Sequence, residues 1–378
     1  MSETKPQPGQ EIEPRWSAYM HEKGNHLGLP VSGTFELTPR CNFSCKMCYV
    51  HQTPEQITAS GRRELTAGEW LEIGEQARQA GMVLLLLTGG EPLLYPGFME
   101  LLHALKGMGL LVSVNSNGLL AQGELLEQLR RDPPMRFNIT LYGGSDATYE
   151  RLCGRPVFHQ VVDNIRALRE AGIPVRLNAS ITPDNREDVE DIFRVGRELG
   201  LYVKSSTYMF PPVRVNGGAA GEAAHRFTAA DAARYELLCR EQTMTQEQLR
   251  AAVEAGGLPP DGADCTGGGE GEPLLCRAGR SSFWLTWDGR MIPCGMMNCP
   301  GHSVTELGFR RAWEAVRADT AAIRLPGACT GCPMRVQCAS CAASCAAETG
   351  RSDQRPDYLC AMTRELIHLT REKYGKRE

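Results

Sequence analysis

The chain has 378 residues, with 41 Lys or Arg against 45 Asp or Glu, a formal charge of -4. That length suits two domains or one large barrel with an appendage. The near-balanced charge gives no electrostatic basis for a nucleic-acid or anionic-membrane partner. No apolar run reaches the length of a membrane span, the longest being centred on 84–87, and the polar start MSETKPQPGQEIEPRW lacks the apolar stretch of a secretory signal. The expectation is a cytoplasmic protein with no nucleic-acid or membrane partner.

From residue 34 to about 210, apolar runs alternate with amphipathic stretches. A strand at 34–37 ends at the first cysteine loop. Helices at 66–80, 97–108, 122–131, 158–171 and 185–199 alternate with strands at 82–88, 111–115, 137–141, 175–181 and 201–207. Gly81, Gly109, Gly172 and Gly200 each fall where a helix-terminating glycine belongs. About six βα units predict an α/β fold with a parallel sheet and helices outside it. Residues 211–275 are rich in Gly and Pro around one helical stretch near 228–254 and read as a connector. From 276 to 360 regular periodicity is scarce and cysteines are frequent, so this segment is expected to need metal staples in place of a large core. The division is therefore 1–31 as an N-terminal extension, 32–210 as the α/β unit, 211–275 as a connector and 276–378 as a small cysteine-rich domain.

The fifteen cysteines are clustered, three between 41 and 48 and most of the rest after 264. In a long chain from a reducing compartment, such clusters read as metal or iron–sulfur ligands rather than disulfides. Cys153 and Cys239 stand alone in helical contexts and read as buried thiols. CNFSCKMC places Cys41, Cys45 and Cys48 just after the first strand, at the end of a parallel strand where sites are built. Three thiolates in one loop can bind three irons of a cubane and leave the fourth open to chelation by S-adenosylmethionine (SAM). The competing reading is a zinc site completed by His51 or a remote cysteine. Gly89, Gly90 and Glu91 end the next strand; the glycines permit close backbone approach to a ligand, and Glu91 offers a carboxylate to an ammonium group.

With both motifs in this order, residues 32–210 resemble the radical SAM family. The resemblance implies a partial (β/α)6 TIM-like barrel with a [4Fe–4S] cluster on Cys41, Cys45 and Cys48 and SAM across the strand ends. It implies that Gly89, Gly90 and Glu91 hold the SAM amino group and that Met47 packs near the adenine. Asn115 begins a stretch, NSNG, similar to the family's third-strand motif, and Thr140 falls where relatives place a serine that contacts SAM. Asn178 and Ser180 are placed to reach the ribose. Strand-end capping is the competing role for these polar residues. Arg155 and Arg151 compete for the SAM carboxylate, with Cys153 where the arginine is expected.

Further on, Cys276-x12-Gly289-x4-Cys294 precedes Cys329-x2-Cys332-x5-Cys338-x2-Cys341-x3-Cys345, with Cys360 last. This resembles the SPASM extension of the same family, which implies two auxiliary [4Fe–4S] clusters. FWLTWDGRMIPC reads as its hairpin, turned at Asp-Gly. The usual interleaving assigns Cys329, Cys332, Cys338 and Cys360 to one cluster, and Cys276, Cys294 and Cys341 to the other, with Cys265, Cys299, Cys345 or an open iron completing it. The chain departs from the family pattern in having x2 before Cys341 and a further cysteine at 345. A zinc ribbon on Cys329, Cys332, Cys338 and Cys341 is the competing reading.

The resemblance implies an oxidoreductase that cleaves SAM to a 5′-deoxyadenosyl radical, fed by a ferredoxin- or flavodoxin-type donor. A peptide or protein substrate is expected, crosslinked or oxidised at a side chain, as in maturases of ribosomally made peptides. The stretch of about 30 residues before the first strand is too short for a leader-binding fold, so recognition would fall to a separate protein or need no leader. Tyr208, Met209 and Phe210 read as substrate mouth or as packed connector. The alternatives are modification of tetrapyrrole side chains and, outside enzymes, a zinc-stabilised binding protein.

Overall fold

The computed structural model describes residues 15–212, 220–221, 223, 225–255, 257–258 and 271–375. Six strands, β1 (Ser32–Glu36), β2 (Leu84–Thr88), β3 (Leu111–Ser116), β4 (Arg136–Leu141), β5 (Val175–Ser180) and β6 (Val203–Ser206), alternate with helices. They pair in chain order, each parallel to the last, as the expected partial barrel requires. Strand residues alternate between faces. Phe35, Leu87, Val114, Ile139 and Leu177 are fully covered. Their neighbours of opposite parity, Asn115, Thr140 and Asn178, face a cavity at the carboxyl ends of the strands.

The helices form where pattern and end signals agree. Ala67–Gln79 opens on a Thr66–Glu69 capping box. Val189–Glu198 buries Val189, Ile192, Phe193 and Val195, a stripe at helical spacing. Gly172 and Gly200 follow their helices at φ 77° and 60°, a left-handed geometry that glycine adopts without a Cβ penalty.

The C-terminal half departs from expectation in three ways. The FWLTWDGRMI hairpin forms as β7 (Ser282–Leu285) and β8 (Arg290–Ile292), followed by β9 (His302–Ser303). But β7 also pairs in parallel with β1, so the barrel sheet runs on into the cysteine-rich half. Trp284 Nε1 donates to the buried Glu36 carboxylate at 2.9 Å across that seam. Second, the supposedly aperiodic region holds the helix Phe309–Ala321, which buries Phe309, Ala312, Trp313 and Val316. Phe283 of β7 packs against Phe309 and Trp313. Third, the connector contributes two helices, Ala229–Thr243 and Gln246–Ala255, and both pack on the last helix, Asp357–Tyr374. A small separate core of Leu274, Leu325 and Ala342 lies under the cysteine loops, in keeping with a region short of apolar staples. Among the described residues no helix is long and apolar enough to cross a membrane.

Candidate active site

The loop after β1 carries Cys41, Cys45 and Cys48 over the strand ends, where all three line a cavity of about 400 Å³. Its approach is braced from one side: Arg40 Nε and Nη2 donate to the two Glu64 carboxylate oxygens at 2.8 and 2.9 Å, and Thr38 Oγ1 donates to the same group at 2.6 Å. From the other side the helix Asp146–Cys153 supplies its last carbonyls. Ser44 N donates to Cys153 O at 2.9 Å and Lys46 N to Leu152 O at 3.1 Å.

Two of the three sulfurs, those of Cys41 and Cys48, receive hydrogen bonds. Phe43 N donates to Cys41 Sγ at 3.4 Å, His51 N to Cys48 Sγ at 3.2 Å, and Asn117 Nδ2 to Cys41 Sγ at 3.8 Å. Burial pushes the Cys41 thiol up to about 12 and raises Cys48. The neighbouring Cys153 thiol and then burial hold Cys45 well above the ordinary thiol range, with the Tyr142 phenol acting in the opposite direction. Deprotonating these thiols therefore calls for a cationic partner, which iron provides.

The strand-end glycines also do a job that the sequence reading did not give them. A Cβ on Gly89 would lie 2.5 Å from Thr38 O, and one on Gly90 2.3 Å from Arg40 O. Gly90 N donates to Thr38 O at 2.7 Å and Glu91 N to Arg40 O at 2.9 Å. Their lack of side chains thus lets two backbones meet, and the meeting fixes the chain that enters the cysteine loop. Both glycines still line the cavity. Glu91 does not: it is fully buried, and its carboxylate accepts from Leu93 N, Ser116 Oγ and Asn117 N at 3.1, 2.9 and 2.8 Å. Burial raises it to about 7. It clamps the end of β2 to the end of β3.

Met47, Asn115, Thr140, Asn178 and Ser180 all line the cavity. Neither arginine does. Arg155 is exposed and donates to Asn42 O at 3.4 Å, while Arg151 reaches Asp184 O at 2.9 Å. Sequence reading missed Asn117, Tyr142 and Met296. Tyr142 follows Thr140 at the strand period and was there to be found. Met296, two residues after Cys294, brings the cysteine-rich half to the cavity wall, through a fold-back that no local pattern announces.

The remaining cysteines fall into neighbourhoods. Cys329, Cys332 and Cys360 line one hollow of about 260 Å³ with Arg355 and Arg364. Cys338 is close enough to act electrostatically on Cys329 and Cys360, both raised chiefly by burial, Cys360 to about 12. Cys276 and Cys341 interact likewise. Cys294 Sγ accepts from Met296 N at 3.5 Å. Cys345 is buried beside Ser340, with Oγ to Sγ 3.6 Å, and burial lifts its thiol to about 12. Cys299 is exposed, and Cys265 lies outside the described residues.

Among the described residues no three His, Cys, Asp or Glu side chains converge on a single metal ion. The donors of a cubane surround a cube of four irons and stand further apart. The site fits such a group in a second respect. Asn42 Nδ2, beside Cys41, is a buried donor with no partner in the protein, although its Oδ1 accepts from Asn117 Nδ2 at 2.7 Å. A sulfide bound beside Cys41 would satisfy it.

A three-thiol loop over the polar strand ends of a partial α/β barrel defines an iron–sulfur enzyme of the SAM-cleaving class. Residues 35–195 match the Radical SAM superfamily, whose members use a [4Fe–4S] cluster and SAM. The chain is 26% identical over 343 residues to an AdoMet-dependent heme synthase of Methanosarcina barkeri, covering 86% of this chain and 93% of that protein. It is 29% identical over 284 residues to the sporulation killing factor maturation protein SkfB of Bacillus subtilis, covering 72% of this chain and 62% of that one. Among solved structures, Streptococcus suis SuiB bound to SAM superposes with a TM-score of 0.63 at 19% identity, covering 92% of this chain and 80% of SuiB. Native anSMEcpe with bound AdoMet gives 0.63 at 13%, covering 91% and 98%. Both superpositions, at over nine-tenths of this chain, extend into the cysteine-rich half.

Proposed function

We propose that the chain oxidatively modifies a peptide or protein side chain, by crosslinking or oxidation, in the cytoplasm. The observation that carries this reading is the chemistry of the cavity wall. Part of its lining is hydroxyl and amide: Asn115, Thr140, Asn178, Ser180 and Ser206. Another part is Tyr208, Met209, Phe210 and Met296. Among the described residues no Arg, Lys, Asp or Glu lines it. His51, the one imidazole there, is held below its ordinary pKa by burial and is neutral at pH 7. A lining without charge suits an uncharged peptide segment, whereas a carboxylate-bearing tetrapyrrole calls for cations. SkfB, and SuiB in its complex with precursor peptide SuiA, support the same reading.

When bound, the cluster and SAM supply a 5′-deoxyadenosyl radical by one-electron reduction and cleavage of the sulfonium. Cys41, Cys45 and Cys48 hold three irons. Gly89, Gly90, Asn115 and Thr140 orient SAM, Met47 covers the adenine, and Asn178 and Ser180 reach the ribose. Tyr208, Met209, Phe210 and Met296 exclude water from a radical that attacks almost any C–H bond. Glu91 positions rather than binds, and Arg155 stays outside the cavity. Cys329, Cys332, Cys338 and Cys360 hold one auxiliary cluster; Cys276, Cys294 and Cys341 hold the other, with Cys345 next to both groups. The electron donor is a ferredoxin- or flavodoxin-type protein, and the substrate either is presented by a separate leader-binding protein or needs no leader.

The test is 5′-deoxyadenosine formation by anaerobically reconstituted chain given SAM and dithionite, against a Cys41→Ala, Cys45→Ala, Cys48→Ala control. Yield should rise with a peptide encoded beside the gene and stay flat with a carboxylate-bearing tetrapyrrole. The reverse pattern supports the second reading, tetrapyrrole modification, which the full-length match to the Methanosarcina barkeri heme synthase favours.

A further inference from the structure

A line of three polar side chains ends at the cavity. Arg136, Asn138 and Thr140 share one face of β4 by the strand period, and Asn138 is the register partner of Asn115 on β3. Arg136 Nε donates to Asn138 Oδ1 at 3.0 Å, and Asn138 Nδ2 donates to Asn115 Oδ1 at 2.7 Å. Asn138 is buried, whereas Asn115 is half-buried and lines the cavity. A guanidinium has donors only, so it decides which way both amides turn. Asn138 must give its oxygen to Arg136 and its NH2 group to Asn115, and Asn115 must give its oxygen to Asn138. What Asn115 has left is its NH2 group, which donates to none of the described residues.

We infer that Arg136 and Asn138 are positioning residues that hold the Asn115 NH2 group toward the cavity, as a donor to the carboxylate of SAM. The inference rests on the reading of this cavity as the SAM site. A carboxylate only accepts, so it needs a donor that cannot turn away; a ribose hydroxyl gives and accepts, and gains nothing from a fixed polarity. Among the described residues no Arg or Lys lines the cavity, and Arg155 and Arg151 donate elsewhere, to Asn42 O and Asp184 O. The Thr140 and Ser180 hydroxyls rotate and can serve either role. Of the three asparagines in the lining, Asn117 gives its NH2 group to Asn42 Oδ1 at 2.7 Å, and no described residue fixes the Asn178 amide. Asn115 is the one whose donor is both fixed and available. A chain of aligned amides ending on a cation also strengthens its last donor.

The experiment is anaerobic equilibrium dialysis of radiolabelled SAM against the reconstituted full chain, with decarboxylated SAM as competitor and iron content measured on the same samples. Asn138→Asp is the decisive variant. Arg136 still finds an oxygen there, but the second carboxylate oxygen faces Asn115, which turns its NH2 group back to β4 and its own oxygen into the cavity. SAM affinity should fall about 10- to 100-fold, the size of a lost charge-assisted hydrogen bond. Affinity for decarboxylated SAM should not weaken. Asn115→Asp puts an acceptor there directly and should show the same selectivity. Asn138→Leu frees the Asn115 amide without inverting it, so its loss should be selective but smaller. A merely structural role predicts the reverse order, because Asp keeps the bond to Arg136 and Leu does not. Equal losses for both ligands, or unchanged SAM affinity in the Asn138 variants at wild-type iron content, would overturn the inference. If Asn138→Asp fails to load iron, Asn138→Leu decides: wild-type affinity for SAM there sinks the proposal. The wild type separates the two levels. No saturable SAM binding by the iron-loaded wild type refutes the reading of the cavity, whereas binding there with unmoved variants refutes only the role of Arg136 and Asn138.

Discussion

At the scale of single residues, Glu91 shows how a motif can be recognised and its working misread. Position after a strand end announces that GGE belongs to the site, but not which way the carboxylate turns. Three donors from 93, 116 and 117 turn it inward. Its pH dependence follows. The folded carboxyl titrates near 7 against 4.5 for the ordinary group, because burial disfavours its charge. Between those values the native chain binds more protons than the unfolded one, so stability falls as pH rises. The contribution is complete below the unfolded value, declines up to the folded one, and is flat above it. At about 1.4 kcal/mol per pKa unit this amounts to at most roughly 3 kcal/mol. Glu91→Gln should remove that slope and cost about 1–3 kcal/mol outright, since an amide leaves one of the three donors poorly matched. Denaturant midpoints measured across the range for both chains give the comparison. Parallel curves for wild type and Glu91→Gln would show that Glu91 is ionised throughout.

Between elements, the informative junction is the one that joins the barrel to the cysteine-rich half. Arg226 Nη1 donates to Glu348 Oε1 at 2.7 Å, with side chains 14% and 5% exposed. The Tyr208 phenol donates to the same oxygen at 2.8 Å, and the Arg226 guanidinium lies 4.1 Å from the Tyr358 ring centroid. One carboxylate on the helix Ala342–Thr349, which carries Cys345, therefore holds a residue of the cavity wall. Removing it strands a buried cation, so Glu348→Ala should cost about 3–5 kcal/mol. Tyr208→Phe, which loses one hydrogen bond, should cost about 1 kcal/mol. Chemical denaturation checks the ranking, and a Glu348→Ala chain as stable as wild type would mean the pair contributes nothing. None of this junction was legible in the sequence, and the reason is sequence distance. The βα units were legible because each strand, helix and glycine stop lies within some thirty residues and obeys its own period. The β7–β1 pairing joins residues 250 apart, as Thr34 and Trp284 show. The helix Phe309–Ala321 did carry a periodic signal in Phe309, Ala312, Trp313 and Val316; the cysteines on either side drew the reading away from it.

For the whole molecule, these junctions bear on how independently the iron sites assemble. The loop of Cys41, Cys45 and Cys48 is braced by Glu64 and by the helix Asp146–Cys153, both inside the barrel half. The hollow of Cys329, Cys332 and Cys360 is built from the last hundred residues alone. Each should therefore load without the other. Three cubanes predict about twelve irons per chain, four to each cluster. The Cys41→Ala, Cys45→Ala, Cys48→Ala chain should keep about eight and lose all response of its EPR signal to SAM. Cys329→Ala with Cys332→Ala should also keep about eight while retaining that response. The Cys276, Cys294 and Cys341 group is the exception in kind, because Met296 carries its loop to the cavity wall. Cys294→Ala should remove about four irons and leave the SAM response altered rather than abolished. Iron and EPR measurements on the same samples test all three chains. A colourless protein with stoichiometric zinc would return the zinc-stabilised alternative. Iron lost from every site in any one variant would show instead that the β7–β1 seam couples assembly across the two halves.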